Sequence, residues 1–195
     1  MRGSQAPALL VVMVAIATFA GCGSAHKSES EKIVVSATGR IGPLHVDESN
    51  RADVISFAGR LESERRGRYG RFYRSYDALG YGCRGRPATD NAGVPRCKTV
   101  FYLDPRRGKL ALLYTEDKRY ADPHGVHPGM RTPVAEHRLR RHAFNGCFSG
   151  FRFDTKSGFL VMWLYGGRAI VGNHVGFLVV HSEHLNPGVF DCIDS

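Results

Sequence analysis

Four of the nine histidines fall in one short run, "DPHGVHPGMRTPVAEHRLRRH", residues 122–142. His124, His127, His137 and His142 lie there, with His174, His181 and His184 further on. Histidine is a common zinc ligand, but a zinc site needs three or four ligands converging from rigid elements. His137 and His142 are five apart, a poor spacing for one helical face. His181 and His184 differ by an odd number, which puts them on opposite faces of a strand. H-E-x-x-H is absent, so the expectation is no metal and no cofactor. Ser149 in "CFSGF" lacks the G-x-S-x-G turn of a hydrolase nucleophile. No catalytic residue is assigned, and the chain reads as a non-enzyme. The alternative is a secreted or anchored hydrolase using the histidine-rich second half.

A second group interleaves arginine with aromatic rings. "RLESERRGRYGRFYRSY" (60–76) holds Arg65, Arg66, Arg68, Arg71 and Arg74 among Tyr and Phe. Guanidinium groups bind carboxylates and phosphates bidentately and stack on rings. The stretch is a candidate patch for an anionic envelope polymer or a partner protein. Equally, its rings can feed a core while its arginines stay solvated. No nucleic-acid-binding motif accompanies it, so nucleic acid is not expected. The formal charge of +9 agrees with an anionic partner.

Five cysteines set the compartment. "MRGSQAPALLVVMVAIATFAGCGS" has a basic start, a short apolar run and small residues before Cys22, the pattern of a secretory signal. It resembles a bacterial lipoprotein signal, although Phe19 stands where Leu is usual. That resemblance implies lipidation of Cys22 and a membrane anchor facing outside the cytoplasm. An ordinary secretory signal with an incidental cysteine is the alternative. Cys83, Cys97, Cys147 and Cys192 remain, and an even number in an exported domain implies two disulfides. Three pairings are open. Cys83–Cys97 with Cys147–Cys192 is preferred because each then stays within one half of the chain.

The elements that must position these residues repeat. Residues 1–21 read as the signal peptide and 22–38 as lipidated Cys plus a polar, flexible tether. A first module is expected over 39–121 and a second over 122–195. In the first, Val54, Phe57, Ala58 and Leu61 follow i, i+3, i+4, i+7, with Ser49 or Asn50 as cap and Asp53 in the first turn. In the second, Thr132 is expected to cap a helix with Pro133 in its first turn, and Val134 and Leu139, with Phe144 as a candidate extension, to form its apolar side. Arg138, Arg140, Arg141 and His142 complement its C-terminal end. Each helix precedes strands. "VFYLDPRRGKLALLYTED" (100–117) and "FRFDTKSGFLVMWLYGG" (151–167) both place Asp-x-x-x-Gly between apolar runs, as hairpins do. Leu110, Leu112 and Tyr114 are matched with Leu160, Met162 and Leu164. "HVGFLVVHSE" (174–183) supplies a further strand, and residues 71–83 an early one. The fold class is α+β: two tandem helix-plus-antiparallel-sheet modules.

"GVHPGMRTPVAE", through Gly125, Gly129, Met130 and Thr132, resembles the small bacterial lipoprotein modules of the SmpA/OmlA group and the related β-lactamase-inhibitor-protein-like fold. "GPLHVDESNRADV" (42–54) carries a degraded version, with Asp47 and Glu48 where Gly and Met would stand. The resemblance implies a binding or envelope-assembly module without catalysis.

Overall fold

The computed structural model describes residues 31–67, 76–83, 97–143, 150–155, 158–164 and 173–182. Within them the chain is α+β. Three two-residue strands come first: β1 (Ile33–Val34), β2 (Arg40–Ile41) and β3 (Leu44–His45). Helix α1 (Arg51–Ala58) leads to β4 (Ser63–Arg65), β5 (Asp77–Cys83), β6 (Cys97–Asp104), β7 (Lys109–Thr115) and β8 (Tyr120–Ala121). Helix α2 (Thr132–Leu139) then precedes β9 (Gly150–Thr155), β10 (Gly158–Leu164) and β11 (Val175–His181).

Local chemistry explains the helix starts. Asn50 accepts from the Ala52 and Asp53 amides at 2.7 and 3.2 Å, and the Asp53 carboxylate accepts from the Asn50 amide at 2.7 Å. This reciprocal box satisfies donors that α1 otherwise leaves open. Val54 is fully buried, and Phe57, Ala58 and Leu61 pack half-buried against the core, as the spacing predicts.

α2 departs from expectation. Arg131, not Thr132, is the N-cap, and it makes no side-chain capping bond. Thr132 is the first helical residue, and its hydroxyl is buried without a hydrogen-bond partner. Thr132, Ala135 and Leu139 face the core at i, i+3, i+7, while Val134 is 43% exposed. Leu139 is on the apolar side as predicted, whereas Ala135 and Thr132 stand there in place of Val134. Phe144 lies outside the described residues.

Seven strands form one antiparallel sheet in the order β4-β5-β6-β7-β11-β10-β9. Both expected hairpins form, with Asp104 opposite Lys109 and Asp154 opposite Phe159. The sheet runs across the expected boundary at residue 121, because β7 pairs with β11 through Leu113↔Val180 and Thr115↔Leu178. About that seam stand β5-β6-β7 on one side and β11-β10-β9 on the other, with β4 added beyond β5.

The lead-ins to the helices repeat in detail. Asn50 bridges Lys109 at the start of β7, and Arg131 bridges His174 just before β11. The Asp47 amide donates to Leu110 O at 2.8 Å, and the Gly129 amide to Val175 O at 2.7 Å. Both residues have positive φ, 67° and 86°. By these bonds β7 corresponds to β11. That corrects the sequence matching of β7 with β10: the shared Asp-x-x-x-Gly turns mark hairpins at different places in the two halves.

Alternation sorts the strand residues onto two faces. Leu79, Phe101, Leu113 and Val180 stand in register on the face that α1 and α2 cover, in one cluster with Val54, Ala135 and Leu139. Ala78, Tyr102 and Leu112 line the other face, with Val100 and Val179. Burial on both faces explains why "VFYL" and "LALL" are continuously apolar. Fully burying one such side chain is worth roughly 1.5–3 kcal/mol.

Candidate functional site

The histidine-rich run is a structured lead-in to α2. Asp122, 3% exposed, accepts from the Val126 amide at 2.6 Å through Oδ1. Its own amide donates to Val126 O at 2.9 Å, and the Gly125 amide donates to Asp122 O. Burial raises the Asp122 carboxyl above its ordinary range, opposed by the Val126 amide. Gly125 has φ 76°, and Arg138 Nη1 donates to its carbonyl at 2.9 Å. His127 Nδ1 lies 2.8 Å from Pro128 O. His142 Nδ1 lies 3.6 Å from Glu136 Oε1. Among the described residues, no three His, Cys, Asp or Glu side chains are grouped to hold a metal. His184 lies outside them.

The arginine stretch is only partly described. Arg65 ends β4, which pairs with β5 through Arg65↔Ala78, and Arg66 is exposed just beyond. Arg68, Arg71 and Arg74 lie outside the described residues, as does Cys22. On the same edge, Glu64 pairs with Arg51 of α1 at 2.9 Å.

Cys83 and Cys97 form the expected disulfide, across paired strands with Cα atoms 3.8 Å apart. Cys83 lies opposite Cys97 in the unbroken β5–β6 register, with Gly82 between Tyr81 and Cys83 at φ 64°. A Cβ on Gly80 would sit 2.5 Å from Cys97 Sγ, so only glycine fits beneath the bridge. Glu62 closes the end of β5, accepting from the Gly82 and Cys83 amides at 2.9 and 2.8 Å. Those two amides hold its carboxyl below the usual range. Cys147 and Cys192 both lie outside the described residues.

Sequence reasoning missed a polar knot at Asp47. Its carboxylate takes Arg107 Nη1 at 2.8 Å and the Ser182 hydroxyl at 2.5 Å. Lys109 Nζ donates to the neighbouring Glu48 O at 2.8 Å. Ser, His and Asp are all near, but their bonds do not form a nucleophile–base relay. Ser182 gives its proton to Asp47 directly, and His181 Nδ1 lies 2.6 Å from Ser182 O, a backbone atom. His45 Nδ1 lies 2.8 Å from Val46 O. A relay needs the base on the nucleophile's oxygen. The signal for this knot was present: Asp47 stands where the second half has Gly129.

A second buried polar chain lies nearby in the fold. Thr99 and Thr115 hydroxyls are 2.9 Å apart, and the Asp117 amide donates to Thr115 Oγ1 at 3.1 Å. Tyr120 bonds to Thr99, and burial pushes its phenol up to about 12. These groups satisfy one another and leave no reactive proton near neutral pH.

Compared with known proteins, the chain matches no family model, and no curated protein and no solved structure matches it.

Proposed function

We propose that the chain is an exported lipoprotein, held at a membrane through a lipidated Cys22. Its α+β portion acts as a non-catalytic module binding an envelope protein or an anionic envelope polymer. The observation that carries this reading is Cys22 itself, placed after an apolar run and the small residues Ala20 and Gly21. The cystine between Cys83 and Cys97 supports it, since such bridges persist in oxidising compartments.

We further propose that the two halves are tandem modules of one ancestral unit, similar to the SmpA/OmlA and β-lactamase-inhibitor-protein-like modules. Support comes from the paired positive-φ residues, Asp47 and Gly129, each bonded to one of the two strands that meet at the middle of the sheet, β7 and β11. In this reading the modules share one sheet instead of standing as separate beads. Arg65 at the end of β4 and Arg66 just beyond it, with Arg68, Arg71 and Arg74 further along the sequence, remain a candidate partner patch.

The test of the anchor is direct. The wild-type chain incorporates radiolabelled palmitate and fractionates with membranes. Cys22→Ala abolishes labelling and releases the protein. Unchanged fractionation and labelling in Cys22→Ala would sink the tether.

A further inference from the structure

We infer that the exposed basic face of α2 is a docking surface for an anionic phospholipid bilayer. This deepens the membrane-tethered reading and rests on it. Arg131, Val134 and Arg138 follow i, i+3, i+7 and form one solvent-facing stripe, with His137 beside it. Arg140, Arg141 and His142 continue it past the helix end, and all three are exposed. The stripe and its extension carry four arginines; the helix's own carboxylate, Glu136, accepts from the Ala143 amide at 3.0 Å, and the buried Asp122 carboxyl lies near Arg138. In α1, by contrast, Arg51 is paired with Glu64 and Asp53 closes the cap.

Two features point to a bilayer as the occupant. Val134 and Val34 are the large apolar side chains left exposed among the described residues. An apolar side chain ringed by arginines suits the headgroup region, where charge attraction and shallow burial act together. The tether also arrives on this side. β1 pairs in parallel with β8 through Val34↔Ala121, β8 runs into the Asp122–Val126 turn, and Arg138 is bonded to Gly125 in that turn. Residues 22–32, even fully extended, span at most about 40 Å. An anchor at Cys22 thus keeps α2 close to the bilayer.

Arg140 caps α2 in the left-handed conformation, φ 52° and ψ 39°, where glycine is the unstrained choice, so Arg140→Gly removes the charge without adding strain.

The experiment is vesicle flotation of the full-length protein, comparing phosphatidylcholine vesicles with vesicles containing 30 mol% phosphatidylglycerol. The triple variant Arg131→Gln/Arg138→Gln/Arg140→Gly is set beside Arg60→Gln/Lys98→Gln/Arg106→Gln, which removes equal charge elsewhere. The wild type partitions more strongly onto the anionic vesicles. Near such a surface each arginine contributes about fivefold, so the α2 triple loses on the order of a hundredfold of that preference. The second triple keeps most of it. Arg140→Gly alone melts at or above the wild-type temperature while partitioning less, which separates the effect from misfolding. The inference is overturned if the wild type shows no anionic preference, or if both triples lose it equally. It is also overturned if the α2 variants lose only binding to soluble polyphosphate. Cys22→Ala lowers binding to both vesicle types alike, so failure of the anchor is told apart from failure of the surface.

Discussion

At the scale of single residues, Asp122 and Asp47 do what the histidines beside them do not. Asp122 is a buried carboxyl bonded to a backbone amide, and burial raises it above its unfolded value. A raised carboxyl contributes stability that is complete below its unfolded pKa and fades as pH rises through the folded one. Near neutrality the folded state therefore carries the cost of a desolvated charge. Asp122→Asn keeps the acceptor for the Val126 amide and removes that charge. The variant is expected to melt higher relative to wild type at pH 7 than at pH 4, by a few degrees, in paired thermal scans. An offset independent of pH would contradict the assignment. The Asp122 turn was half legible: Asp-Pro and Gly125 mark a turn, yet the histidines drew attention to metal chemistry. Asp47 was visible only as a departure from Gly129. Its value lies in partners at Arg107 and Ser182, which no local pattern reveals.

At the scale of elements, the sequence read types better than faces. α1, both hairpins, β5 and β11 all follow from periodicity and turn residues, because their signals are local. The α2 error was one of orientation. Thr-Pro is a helix-start signal, but the backbone bridge from Arg131 to His174 fixes where the helix begins. That shift rotates Ala135 inward and Val134 outward. The β5–β6 bridge shows the same dependence on distant partners. Gly80 has no motif around it, yet Cys97 Sγ would meet any Cβ placed there. Gly80→Ala is expected to cost about 1–3 kcal/mol in urea unfolding, the usual range for overpacking. Most of that cost should disappear in a Cys83→Ala/Cys97→Ala background, which removes the sulfur. An undiminished penalty in that background would point to backbone strain instead.

At the scale of the molecule, seven strands and both helices share one sheet and one main core. Trp163, the chain's single tryptophan, lies on β10 in the second half, while the Cys83–Cys97 bridge lies in the first. With the disulfide intact, unfolding followed by tryptophan fluorescence and by far-UV circular dichroism should coincide in one transition. Two separated transitions would mean that the halves hold together only loosely. The shared sheet was beyond sequence reading because the β7–β11 pairing joins segments with no local signal in common. The α+β class was legible from caps and turns, but not the pairing of β7 with β11.

That central seam also constrains how the molecule is made. Leu113 pairs with Val180, and Asp47 bonds Ser182 across 135 positions of chain. Until residues near 180 emerge, β7 has no partner on one side and presents an open, apolar edge. Pairings of such long sequence separation form late and slowly. A chain synthesised from its N-terminus therefore spends most of its synthesis with the middle of its future sheet unclosed. The last strand to arrive is the one that seals it.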